Sequence, residues 1–480
     1  MGTVWIREFT GGLDTRKLVE TSRGGTLIRA EDCHINRGGE VEQRAAFVKF
    51  ADLPQGATTG LAATLDRLLV FGSGAAPALP GGIGYQQIAV SEGQTLERIE
   101  SWSLFTGKVY AAARLGDGSI EHYYGAARVT AYGSNTAIRP GAVVRTFGQK
   151  LNFLEGSNLI FSALNDPTSY DASNSAKPGA GFFDLSVEDY GSEALVGMGR
   201  YQNYLAVFSS RAVQVRYMDP DPKLSKAVQT LQNTGTLAAR SITQFGDNDL
   251  FYLDSSGVRS LRARDASNAA VTTDIGSAID TLVTDSVVRA SDEQIARAIG
   301  LIEPRDGRYW LILADQIFVF SYFPSAKVSA WTVYKPGFLI SDAVVFKRRV
   351  YARSDDAIYV YGGLDEAYAY DDTPAVVWTP YLDADRPTER KSWNGIDVAC
   401  RGTWDVAIAW NPAPSMQHAS DRVGEVTETT YAENRIPAEN GSTHFSVRLT
   451  SKAAPPGGGP CIVSAVVAHY QSDEKDEARS

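Results

Sequence analysis

Catalysis in this chain would need paired carboxylates, a histidine beside a nucleophile, or thiols at metal-binding spacing. The carboxylates come closest. Asp247, Asp249 and Asp254 flank one apolar run, and Asp371 and Asp372 are adjacent. Glycoside hydrolysis uses two such groups across a sugar bond. Aspartate in a turn also accepts hydrogen bonds from its own backbone, which explains acidic turns without catalysis. A calcium ion at Asp247 and Asp249 would call for a D-x-[DN]-x-[DN]-G loop, which the sequence lacks. His34, His122, His418, His444 and His469 are scattered, with no H-x-x-x-H or H-E-x-x-H spacing. There is no G-x-S-x-G elbow. Leu79 to Gly84 is glycine-rich but lacks the Lys-Ser/Thr of a phosphate loop, so it reads as a turn. Cys33, Cys400 and Cys461 form no C-x-x-C pair and read as reduced, buried thiols. The expectation is a protein that is not an enzyme, with no catalytic, cofactor-binding or metal-binding residues and no cofactor.

The elements that would position any site are strands. The chain has 480 residues, 44% hydrophobic and 21% charged, enough apolar content for a sizeable core. Short runs of Val, Ile, Leu, Tyr and Phe are separated by Gly, Asp, Asn and Ser. They pair into a recurring unit of strand, polar turn, strand. Lys108 to Leu115 turns through Gly116-Asp117-Gly118-Ser119 into Ile120 to Tyr124. Tyr204 to Phe208 turns into Val213 to Tyr217, and Val350 to Arg353 into Ile358 to Tyr361. The units recur at roughly 40 to 60 residues, the spacing of propeller blades. A β-sandwich or a string of unrelated β modules is the alternative.

The expected fold class is therefore mainly β: a β-propeller-like core with a short helical insertion and a C-terminal β domain. The insertion is predicted where Asp274 caps a helix carrying Ile275, Ile279 and Leu282, and where Ser291 to Gln294 form a capping box opening a second helix with Ile295 and Ile299 on one face. The domain reading is 1–60 as an N-terminal segment for ring attachment, 61–363 as the propeller and 364–480 as a C-terminal β domain with a polar tail. In that domain a strand from Ile396 to Cys400 is predicted to end at an Arg401-Gly402 turn, and Ala453 to Pro460 to form a loop tip.

Charge narrows the function. Lys plus Arg number 46 against 56 Asp plus Glu, a net charge of −10. That balance argues against a surface built to grip nucleic acid. The start, MGTVWIREFTGG, has no apolar core of a signal peptide, and no run of about 18 apolar residues marks a membrane span. Synthesis and folding in a reducing cytoplasm are expected.

Several segments carry a resemblance. Phe9-Thr10-Gly11-Gly12-Leu13-Asp14-Thr15-Arg16 is one, and the stretch from Ala30 through Asn36, Gly38-Gly39 and Arg44 is another. Asn165-Asp166-Pro167, Asp274-Ile275-Gly276 to Asp280, Arg305 to Leu311, Val319 to Phe323 and Ser329 to Tyr334 follow in order. Together they resemble the nozzle, or tail tubular protein B, of short-tailed bacteriophages. Ala46 stands where that family often has glycine. The resemblance implies a structural virion protein, a homo-oligomeric ring, usually a hexamer, that prolongs the tail tube and lets double-stranded DNA pass without specific binding. Its partners would be the tail adaptor, tube proteins and tail fibres. It supplies no catalytic residue.

Two other readings stand beside it. A carbohydrate-binding propeller would recognise the host surface through aromatic turns such as Tyr368 and Tyr370. A glycosidase would use the acidic turns. The basic run Lys347-Arg348-Arg349 reads as a solvated turn or a subunit salt bridge.

Overall fold

The strand–turn–strand units wind around a common axis in a computed structural model of the chain. The structure describes every residue except 1, 133–137, 187–192, 264–269, 414–417, 432–433, 454–457 and 473–480. The expected loop tip at Ala453 to Pro460 and the polar tail fall largely outside the described residues.

Among the described residues, seven groups of three or four strands follow one another around the ring, six of them separate small sheets and the sixth in ring order continuous with a larger, sixteen-stranded sheet. The first blade is Thr59–Ala63, Leu68–Gly72 and Ile83–Gln87. The second runs from Leu96–Phe105 to Ala127–Arg128, the third from Val143–Phe147 to Gly181–Asp184, and the fourth from Leu195–Tyr201 to Lys226–Gln232. The fifth runs from Thr243–Phe245 to Ala270–Asp274 and the sixth from Ile299–Ile302 to Val328–Tyr334. The seventh combines Asp342–Phe346, Arg349–Ser354 and Ala357–Tyr361 with Phe47–Asp52, which lies far earlier in the chain. The innermost strand of each blade touches that of the next, and Asp342–Phe346 touches Thr59–Ala63, so the ring closes. The fold is a β-propeller, and the β-sandwich alternative falls.

Packing follows from the ring. A sheet buried on both faces needs apolar side chains on both, and these strands supply them in unbroken runs such as Leu68–Gly72 and Tyr309–Leu313, buried throughout. Separate clusters fill the gaps between blades. Phe71 and Val109 meet between the first and second, Tyr110 and Phe153 between the second and third, and Trp310 and Val350 between the sixth and seventh. Each such side chain contributes about 1.5–3 kcal/mol relative to exposure.

Beside the ring lies a second sheet made from both ends of the chain. Val376–Trp378, Phe445–Ser451, Lys391–Trp410 and Ile462–Ser472 lie side by side. Arg29–Glu31 pairs with Val376–Trp378, while Val41–Gln43 and Gly2–Ile6 pair with Ile462–Ser472. The sheet meets the sixth blade through Gly12 opposite Trp331 and Glu31 opposite Val333. Gly12 has φ +57, and a Cβ there would stand 2.8 Å from the Trp331 carbonyl oxygen.

Three local expectations are corrected. Asp274 does not cap a helix; it ends the strand Ala270–Asp274, and α1 is Asp280–Arg289 behind Ile279. The reason is competition: Arg259 Nη1 donates to the Asp274 carboxylate at 2.8 Å, and Gly276 N–H donates to Val258 O. The capping box at Ser291 is present, but α2 is short, Asp292–Ala296, and Ile299 opens a strand instead of extending the helix. Finally, the Arg401-Gly402 turn is a bulge inside one long strand, Lys391–Trp410. The register shifts between Arg401 and Trp404, and Gly402 has φ +77.

Candidate functional site

The residues singled out for chemistry stand apart. Asp249 and Asp254 occupy opposite ends of one six-residue strand, roughly 17 Å apart at about 3.3 Å per step. Asp247 sits in the turn before it. Asp254 is buried and accepts from Ser256 N at 2.8 Å and Gly235 N at 3.0 Å, so it organises a turn. Asp372 is exposed, while Asp371 turns inward toward Arg44.

The histidines serve packing. His122 is fully buried; it donates from Nε2 to Gly141 O at 2.8 Å and accepts at Nδ1 from Tyr110 Oη at 3.1 Å. Burial pushes its pKa down to about 4. His34 is bonded through Nδ1 to Tyr334 Oη at 2.8 Å, and burial lowers its pKa too. His469 meets Asp397 at 2.7 Å, and Thr430 Oγ1 donates to the same carboxylate at 2.8 Å. The carboxylate thus lies between hydroxyl and imidazole, the wrong order for activating the hydroxyl. His444 Nδ1 is 2.9 Å from Thr443 Oγ1, and the His418 side chain lies outside the described residues. The three cysteines are free, and burial raises each thiol's pKa.

Tyr368 is already occupied. The guanidinium groups of Arg305 and Arg349 lie 4.1 Å and 4.3 Å from its ring centroid, and its hydroxyl donates to Glu303 at 3.1 Å. Tyr370 is half-buried against the cluster between the sixth and seventh blades. The Tyr368 ring, flanked by two guanidinium groups, offers no open face for a sugar to stack on. Lys347 and Arg348 form a hairpin turn with φ of 45° and 61°, and Arg349 is drawn to Tyr368 and the Asp365 carbonyl.

One place does gather singled-out residues: the joint between the propeller and the two-ended sheet. Arg44, only 1% exposed, is its centre. Its Nε donates to Asp32 at 2.7 Å, Nη1 to Ala45 O at 2.8 Å and to Asp371 at 3.1 Å, and Nη2 to Thr373 Oγ1 at 2.9 Å. Asp32 also accepts from Lys335 N at 2.9 Å. Burial raises the Asp32 pKa, and Arg44 opposes the rise. Nearby, Thr15 N–H donates to Ala278 O, and Trp331 Nε1 donates to Ile275 O at 2.8 Å. Arg308 ties Asp306 to Ser321. The segments around residues 9–16, 30–44, 274–280, 305–311, 319–323 and 329–334 therefore converge on one body. Asn165-Asp166-Pro167 lies away from it, in the third blade.

At the centre of the ring, innermost-strand residues Arg98 to Ser101, Val143 and Val196 line a cavity of about 510 Å³ that Asp292, Glu293 and Ala296 of α2 border. Glu293 of α2 binds Arg98 of an innermost strand at 3.2 Å, and Arg98 and Arg114 share Glu100. Of the other arginines lining the cavity, Arg240 pairs with Asp342 at 2.5 Å and Arg297 lies 3.9 Å from Glu293.

No protein-family model matches the chain, and no curated sequence matches it. Among solved structures it is similar to the WD40 domain of Pan2 from Neurospora crassa, at 9% identity over 65% of this chain and 91% of that one, with a TM-score of 0.39. BamB from Moraxella catarrhalis is 11% identical over 66% and 85%, with a TM-score of 0.36. The WD40 propeller of Doa1 is 8% identical over 68% and 99%, again at 0.36. At that level the likenesses add nothing to the strand pairing, from which the propeller is read directly.

Proposed function

We propose that the chain is a structural subunit of a bacteriophage tail, related to the nozzle of short-tailed phages, and that copies of it form a ring through which DNA leaves. The observation that supports this most is the joint. All but one of the segments that carry the resemblance meet at this joint of buried ion pairs and aromatic packing, a place suited to holding the ring against the two-ended sheet. The axial cavity, about 510 Å³ and bordered by α2, is too small to take a duplex. The conduit in this reading lies on an axis shared between subunits.

Purified particles test it. Phage lacking the gene should package DNA yet fail to infect, and the chain should be found in wild-type tails at the stoichiometry of a ring. A chain missing from particles, or normal infection without it, sinks the proposal.

A conduit wall must also let DNA slide. With 46 basic against 56 acidic residues, the chain should bind duplex DNA with a Kd weaker than about 1 μM at moderate salt. A gel-shift titration reads this directly. Tighter binding with a steep salt slope would mark a DNA-gripping protein instead.

A further inference from the structure

A cleft of about 410 Å³ opens between the fifth and sixth blades, beneath the N-terminal segment. Its volume falls in the range of about 300–1,000 Å³ typical of small-ligand sites. One wall is an aromatic ladder. Trp331, Phe320 and Tyr322 stack in turn, with centroids 4.6 Å and 5.7 Å apart, and Phe245, itself stacked on Phe251, meets Tyr322 edge-on. The ladder ends at Tyr322, which is 38% exposed.

The rim is polar in a particular way. Asp14, Asp249 and Asp274 all line the cleft, and each has an arginine beside it. Arg16 grips Asp14 with two bonds, of 3.0 Å and 2.8 Å, and Arg259 holds Asp274. Arg262 stands opposite Asp249 on the neighbouring strand. The carboxylates keep spare acceptor lone pairs while their charge is offset. Behind the rim, in the sheet, Ser260 is fully buried and its Oγ has no partner. It lies in register between Phe251 and Thr273, both of which line the cleft, so it shares the sheet face that they present.

We infer that this cleft binds a neutral saccharide, whose C–H face stacks on Tyr322 and whose hydroxyls pair with Asp249 and Asp14. A sugar ring presents both an apolar face and a girdle of donors and acceptors, and the cleft offers the complement of each. Carboxylates already matched by arginines leave no net charge for an ion to answer, and the polar rim disfavours a wholly apolar ligand. The inference is independent of whether the chain belongs to a tail.

Saturation-transfer NMR on the full chain tests it. The probes are glucose, galactose, mannose, rhamnose and N-acetylglucosamine, and an oligosaccharide from a lipopolysaccharide core. At least one should bind with a Kd on the order of 1 mM, weakened about tenfold or more in Tyr322→Leu and in Asp249→Asn. Tyr322→Leu keeps apolar contact with Phe245 and Phe320, and an unchanged melting temperature verifies folding. Transfer to the core oligosaccharide and to none of the free sugars would identify a glycan chain as the source; transfer to a free sugar would identify a monosaccharide. Tyr368→Ala should leave binding unchanged. The inference fails if no probe receives transfer, or if transfer is the same in both cleft variants as in the wild type.

Discussion

Arg44→Ala is expected to destabilise the fold by about 3–5 kcal/mol, the usual result of removing one partner from a buried ion pair. The alanine variant would strand Asp32, which is 5% exposed, without its main counter-charge. It would also release Asp371 and Thr373, so the chain leaving the seventh blade would lose its hold on the N-terminal strands. Lysine should not rescue it, because one ammonium cannot reproduce a fork that serves Asp32, Ala45, Asp371 and Thr373 at once. Urea unfolding of the two variants checks this. A loss under about 1 kcal/mol would show the network to be solvated, as in surface pairs.

Acid should weaken the protein by up to about 3 kcal/mol through His122 alone. The imidazole's ordinary pKa is 6.5, and burial between the second and third blades pushes it down to about 4. Between those values the unfolded chain binds a proton that the folded chain refuses, so stability rises with pH. The contribution is complete above about pH 6.5 and is lost as the pH falls toward 4. His34 is depressed in the same direction and adds to the slope. Denaturation midpoints measured across that window should fall steadily in the wild type and less steeply in His122→Gln. Equal slopes in the two proteins would remove His122 as the cause.

The propeller was legible where its signals are local. Lys108–Leu115, its Gly-Asp-Gly-Ser turn and Ile120–Tyr124 can be read residue by residue, because alternation and turn chemistry are short-range. The outer strands were not. Lys226–Gln232 is polar and largely exposed, and what makes it a strand is pairing with Ala212–Tyr217. Nor does anything in Phe47–Asp52 announce that its partner is Ala357–Tyr361. Asp274 carries a helix-cap signal, but an arginine from the adjacent strand outcompetes it. At the joint, the one local hint was an arginine set among Gln43, Ala45 and Ala46; its three side-chain partners lie 12 to 329 residues away. The cleft had no sequence signature, since its walls come from positions near 14, 249 and 322, which only the fold brings together.

The late closure of the ring sets a timetable for synthesis. Ala45 N–H, at the edge of the strand that completes the seventh blade, donates to Tyr361 Oη across 316 residues of chain. At about 5–20 residues per second, a ribosome leaves that strand without its partner for roughly 15–60 s. During that interval the N-terminal residues wait as an unpaired edge, beside six blades that are already forming neighbour by neighbour. An unpaired edge is a template for wrong pairing. Crowded synthesis of many copies therefore places the chain at greatest risk of misassembly just before its last blade emerges, and slowing translation should lower the soluble yield.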